Sequence, residues 1–275
     1  MVRYIKYKDI DTEAWDKCIK ASVNKDVTAL SGYLDISCKK WDALVSDDYK
    51  AVMPLPKLNN RIFNNYYTNF LVPQLGVYGN KIDSKLFTDF INIYKNKAHN
   101  VNYKLNKFNF FKENKFNFDI KQAYEFDVYT KDNILLDKKY QINLKVSNNE
   151  VIKFIESENI ISSINKVEFN VDLFRQILAY TIRNRIAYTY IALDDYNTMI
   201  GFAFFIKSFS KDKLIYAAVR EKLVIKNVFE FMLNNHINRC RRNISIDLGY
   251  SDTYFDNVYR SFDVKQYNIY SINKI

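Results

Sequence analysis

Residues 186–262 constrain the fold more than any other part of the chain. Residues 186–193, 199–208 and 213–219 are strand-sized, largely apolar runs, which predicts three strands. Two turn-forming clusters separate them, Asp194-Asp195-Tyr196-Asn197 and Ser210-Lys211-Asp212. A helical period then runs over 221–240, residues 243–248 alternate, and Phe255, Val258, Tyr259 and Phe262 share one face of a last helix over 252–262. Three hairpin-linked strands followed by helix, strand and helix predict a mixed sheet covered by helices. The chemistry turns on Ala218-Val219-Arg220-Glu221-Lys222, where a strand hands over to the long helix. A helix start projects unpaired N–H groups and partial positive charge, and so can hold an anion.

The preceding sequence predicts a comparable set of elements. Residues 2–8 alternate as a strand, and Thr12 is the expected cap of a helix over 13–22 that buries Trp15 and Ile19. A short helix over 32–38 leads to a hairpin of strands 41–45 and 51–55, whose second strand is ended, or placed at an edge, by Pro54 and Pro56. Strands are expected at 66–72, 74–78, 101–110 and 123–129, and a helix from Ser84 to about Lys97. The spacing predicts helices over 134–146 and 149–158, an ambiguous stretch at 160–169, and a helix from Asn170 or Asp172 to about Arg185. Residues 264–272 close as a strand. The two halves share element order without a sequence repeat, so the division is placed between 1–145 and 146–275.

Composition narrows the setting. Hydrophobic residues are 48% of the chain and aromatics 16%, ample for two cores, which excludes wholesale disorder. The net charge of +10 fits a polyanion partner such as tRNA, or the drift of an AT-rich genome; the absence of any basic block favours drift. Cys18, Cys38 and Cys240 are far apart, and with only His99 and His236 no metal-ligand spacing is present, so no metal is expected. Neither a secretory leader nor a membrane-length apolar run is evident, and the expectation is a cytoplasmic protein with no membrane span.

Met199 to Ser208, Leu214 to Val219, the helix after Glu221, Ser245 to Leu248 and Val258-Tyr259-Arg260-Ser261-Phe262 resemble the second half of the GNAT acyltransferase fold. Tyr33-Leu34-Asp35-Ile36, Trp41-Asp42-Ala43-Leu44-Val45, the segment Tyr49 to Leu55 and Gln74-Leu75-Gly76-Val77 resemble a bacterial group related to FemAB, whose members are tandem GNAT-fold proteins. The resemblance covers most of the chain. It implies an α+β protein of two GNAT-like domains, each a mixed, mostly antiparallel sheet flanked by helices. It also implies transfer of an acyl or aminoacyl group to a small-molecule or peptide amine acceptor. The donor would be acetyl-CoA or another acyl-CoA, or aminoacyl-tRNA as in FemAB members. The alternative is a non-catalytic binding protein of the same fold with a degenerate cofactor site.

Under the resemblance, Tyr259 is the candidate general acid; the competing reading is a core tyrosine. Val219, Arg220 and Lys222 are the candidate cofactor-phosphate contacts, by charge, because the family's glycine-rich loop has no glycine here and Glu221 opposes an anion. The family's glycine after Phe262 is also replaced, by Asp263. Asp247, and Ser245 beside it, are candidate bases or substrate-orienting groups, or simply the polar face of a strand. His236 and His99 are expected at the surface. Cys240 is expected to be incidental, and Arg239, Arg241 and Arg242 to complement a helix end.

Overall fold

The first helix begins one residue earlier than its sequence suggests. Asp11, not Thr12, is the cap: its carboxylate accepts from the N–H groups of Glu13 at 3.1 Å and Ala14 at 3.0 Å. A carboxylate is the stronger acceptor for those orphan donors and favours the positive end of the helix. The computed structural model describes residues 1–38, 40–57, 66–97, 101–111, 118–126, 140–145, 147–164, 169–220, 225–247, 253–260, 262 and 264–273. Internal contacts divide the chain into Met1–Gln122 with Asn268–Ile275, and Ala123–Tyr267. The division at 145/146 read from the sequence stays a proposal about which pieces fold independently.

The first unit opens with β1 (Val2–Ile5), α1 (Thr12–Ala21), α2 (Ser31–Ser37), β2 (Trp41–Ser46) and β3 (Ala51–Pro56). It continues with β4 (Tyr66–Tyr67), β5 (Tyr78–Gly79), α3 (Ser84–Lys97) and β6 (Val101–Leu105). Antiparallel pairing orders one sheet β1-β2-β3-β5. Every residue of β2 and β3 is buried, so these strands are core on both faces. Trp15 of α1 seals the sheet: its ring lies 4.8 Å from Trp41 and its Nε1–H donates to the Ala29 carbonyl at 2.9 Å. Two expected strands are shorter here. Pairing after Tyr66 stops at Tyr67, and the stretch 101–110 leaves the strand after Leu105 in a turn of 3-10 helix at Lys107–Asn109.

β7 (Asp119–Phe126) carries the chain into the second unit. There follow β8 (Gln141–Asn143), α4 (Asn148–Glu156), β9 (Ile160–Ser162), α5 (Val171–Arg183), β10 (Ala187–Leu193), β11 (Met199–Lys207) and β12 (Asp212–Arg220). The last elements are α6 (Ile225–Cys240), β13 (Ile244–Asp247), α7 (Thr253–Arg260) and β14 (Lys265–Asn273). Within the unit the strand order is β7-β13-β12-β11-β10-β8, antiparallel except for β12 and β13, which run parallel.

The described part of the expected helix over 134–146 is strand, not helix. Gln141, Ile142 and Asn143 pair with Leu193, Ala192 and Ile191 on the edge of β10. An edge partner outweighs weak helical periodicity in so short a segment.

Helices cover both faces of this sheet. On one, α6 packs Val228, Phe229, Met232 and Leu233 onto Tyr190, Ala203, Phe205, Ala217 and Val219. A side chain at Gly201 would place its Cβ 2.7 Å from Val228 Cγ1, so glycine there lets α6 sit close. On the other face, α5 is capped by Asn170, which accepts from Leu173 N–H at 2.9 Å. Its Phe174 meets Phe202, Phe204 and Tyr216 at ring separations of 6.4, 5.8 and 5.1 Å. Among the described residues no helix is long and apolar enough to cross a membrane.

Candidate active site

The parallel strands β12 and β13 stay together for only three residues. Asp212, Lys213 and Leu214 pair with Ile244, Ser245 and Ile246. β12 then changes partner on the same edge: Ala218, Val219 and Arg220 pair antiparallel with Ser162, Ile161 and Ile160 of β9. Ser163 extends the contact, its N–H donating to the Ala217 carbonyl at 2.7 Å and its Oγ accepting from the Ala217 N–H at 2.8 Å. β13 goes on to Asp247, opposite Ala123 of β7. The two strands thus part toward their carboxyl ends, the place where parallel strands with diverging neighbours form a crevice for ligands.

Of the sequence-selected residues, Val219 and Arg220 end β12 and Asp247 ends β13. Val219 is wholly buried and paired on both sides, with Gly201 and Ile161, so its backbone is committed to the sheet. Arg220 turns its guanidinium to the Met199 carbonyl, with Nη2 at 3.1 Å, and lies 6.0 Å over the Phe154 ring. Its Nε is buried and makes no hydrogen bond, which leaves one charged donor for an anionic oxygen. Lys222 and Glu221 lie outside the described residues, as does the side chain of Asp247.

Tyr259 is 1% exposed. Its ring sits 5.4 Å from Phe229, in the first half of α6, and 5.8 Å from Phe255. Ser245 is buried, with its Oγ 3.3 Å from Tyr267 Oη. Beside β9 a cavity of about 210 Å³ is lined by Ile155, Ile160, Ser162, Phe169, Val171 and Tyr216, among others. Its wall is mainly apolar, with Glu156, Ser157 and Ser162 as its polar part.

A pyrophosphate needs several N–H groups at short range. The described end of β12 offers none: its last three residues pair with β9 on one edge, its Val219 and Ala218 pair with β11 on the other, and no glycine lies between β12 and α6. The described residues therefore do not fit a CoA pyrophosphate. They fit one anionic group, at Arg220.

A second polar centre lies at the opposite end of β12, and sequence reasoning missed it. His236 is 0% exposed, not on the surface as expected. Its ring stacks on Phe205 with centroids 4.0 Å apart and planes at 3°. Nδ1 is 3.0 Å from Tyr190 Oη, and Nε2 is 3.1 Å from Oδ2 of Asp212, itself 0% exposed. Arg242 holds the other carboxylate oxygen through Nε at 2.8 Å and donates from Nη2 to the carbonyls of Ser208 at 2.6 Å and Phe209 at 3.2 Å.

Cys240, half-buried, follows His236 by one helical turn. Burial lowers the affinity of His236 for a proton, partly offset by Asp212, and raises the pKa of the Cys240 thiol. The signal for His236 was present: it falls on the stripe Phe229, Met232, His236, Cys240 that the apolar period of α6 turns inward. No spacing in the sequence links Asp212 to it. His99 lies outside the described residues.

No protein-family model matches the sequence, and no curated protein matches it. Solved structures do. FemX superposes with a TM-score of 0.57 at 9% identity, over 99% of this chain and 97% of its own. A GCN5-related N-acetyltransferase from Sphaerobacter thermophilus gives 0.51 at 12% identity, over 99% and 96%. At such identities the likeness is one of fold, and it extends over both units. The chain has the GNAT-type α+β fold in the FemX-like form that the sequence suggested.

Proposed function

We propose that the protein is an N-acyltransferase of GNAT/FemAB type, moving an acyl or aminoacyl group from an activated ester or thioester to an amine. Arg220 carries this reading: a buried charged donor free to take an anionic oxygen, at the carboxyl end of the strand that parts from its parallel neighbour. Arg220 anchors a carboxylate or phosphate of donor or acceptor. Tyr259, on the helix that follows β13, is the proposed acid for the leaving group, and Asp247 the group that orients the amine or takes its proton. Lys222 is proposed to add charge at the start of α6. Binding both substrates in line supplies much of the rate, so no covalent enzyme intermediate is required.

Supply of the acyl group by acyl-CoA or by aminoacyl-tRNA is the finer question, and the lack of glycine between β12 and α6 weighs against acyl-CoA. The competing reading, a binding protein of this fold without catalysis, draws on one observation: β9 closes the edge of β12 at the crevice. The test is incubation with acetyl-CoA and, separately, charged bulk tRNA, in the presence of amine acceptors that include a peptidoglycan-type peptide. Products are read by mass spectrometry. Acylated amine that is lost in Arg220→Ala supports the proposal. No acylated product with either donor overturns it in favour of the binding protein.

A further inference from the structure

We infer that Asp212, His236 and Cys240 form a binding site for one divalent transition-metal ion of the zinc class. The argument begins with two buried atoms that face each other and have no hydrogen bond. Asp212 Oδ2 and His236 Nε2 are 3.1 Å apart, yet neither has a hydrogen-bond partner. A neutral imidazole carries one proton, on Nδ1 or on Nε2. With the proton on Nδ1, the ring donates to Tyr190 Oη at 3.0 Å and Nε2 is left as an unpartnered acceptor 3.1 Å from the carboxylate oxygen. Two lone pairs held at this distance in a dry interior repel each other, and leaving both groups unsatisfied there is costly.

A cation between them removes the conflict. With bonds of about 2.0–2.1 Å to each, a 3.1 Å separation subtends roughly 100° at the ion, close to a tetrahedral angle. Cys240 supplies the third ligand. It lies one turn beyond His236 on α6, and its Sγ and the other two ligand atoms all fall within 4.8 Å of one another. Ligand atoms around such an ion are about 3.3–3.8 Å apart, so a side-chain rotation at the helix end closes the set. The donors, one imidazole, one carboxylate and one thiolate, suit zinc or cobalt and not calcium or magnesium.

The surroundings are already those of a supported site. Tyr190 holds Nδ1, Phe205 fixes the ring plane, and Arg242 fixes the carboxylate through the oxygen that would not bind metal. Cys240 is partly open to solvent, which gives an ion a way in and leaves a fourth position for water. The ion would clasp the start of β12 to the end of α6. The site is at the far end of β12 from Arg220, and the inference stands whether or not the protein is a transferase.

The experiment uses the full chain, stripped with a chelator and then titrated with Co(II) or Zn(II). The expected result is one metal per chain, a thiolate-to-Co(II) charge-transfer band, and a rise in melting temperature with zinc. Cys240→Ser sits at a half-buried helix end and tests the ligand without emptying the core; circular dichroism checks that it folds. It should abolish the charge-transfer band and weaken zinc affinity at least tenfold. Tyr190→Phe should leave the band in place and weaken affinity about 10–100-fold. No metal retained after dialysis of the wild-type chain overturns the inference. So does a charge-transfer band that persists unchanged in Cys240→Ser, because the thiolate would then come from Cys18 or Cys38.

Discussion

Replacing Arg242 by methionine is the sharpest probe of how the second unit is held together. Methionine keeps much of the stem packing and removes the guanidinium. Asp212 is fully buried, and Arg242 gives it a 2.8 Å charged hydrogen bond while closing the Ser208 and Phe209 carbonyls at 2.6 and 3.2 Å. Hydrogen bonds to charged groups contribute about 1.5–3 kcal/mol each, and breaking one partner of a buried pair costs about 3–5 kcal/mol. The side chain of Arg242 is 25% exposed, so water screens part of the loss, and we expect about 3 kcal/mol.

Urea unfolding of the full chain, in chelator so that no ion contributes, measures this. The companion variant Asp212→Asn removes the stranded charge. The double variant should therefore be more stable than the sum of the two single losses by at least about 1.5 kcal/mol. A loss below about 1 kcal/mol for Arg242→Met, or strict additivity in the double variant, would refute the view that this pair is a buried coupled unit.

Gly201→Ala should destabilise by about 1–3 kcal/mol, because the new methyl meets Val228 Cγ1 at 2.7 Å; thermal melting checks it, and Val228→Ala should recover part of the loss. Cys18 and Cys38 are buried, with thiols pushed up to about 11 and about 12, whereas Cys240, though also raised, is partly exposed. Titration of the native metal-free chain with a thiol-reactive dye should therefore show one fast thiol, lost in Cys240→Ser. If transfer activity is found, Tyr259→Phe should lower kcat by about 100-fold or more with little change in KM, whereas Arg220→Ala should mainly raise KM for the anionic substrate.

The parts of the fold legible in the sequence are those specified locally. The strand, turn and helix order from β10 to α7 follows from strand-length apolar runs, helical period and turn residues, and the structure has that order. β8 was not legible, since only its pairing with β10 makes Gln141–Asn143 a strand. β9 was ambiguous for the same reason: three residues acquire their form from the edge of β12. At the candidate site, Arg220 could be selected from its place at a strand end. Its orphan Nε, and the loss of backbone donors to β9, needed coordinates. The pairing of Asp212 with His236 joins a strand start to a helix end, and no periodicity records it.

The change of partner along β12 also bears on how the chain is assembled as it leaves the ribosome. α4 and β9 emerge before β12, whereas β13 emerges only after α6. The far end of β12 can therefore find its neighbour as soon as it is made, and the near end must wait for the helix to fold back. The part of the edge beside Arg220 is the part whose partner is made first. The crevice takes shape from its closed wall outward, and α6 arrives on a strand already tethered at its far end.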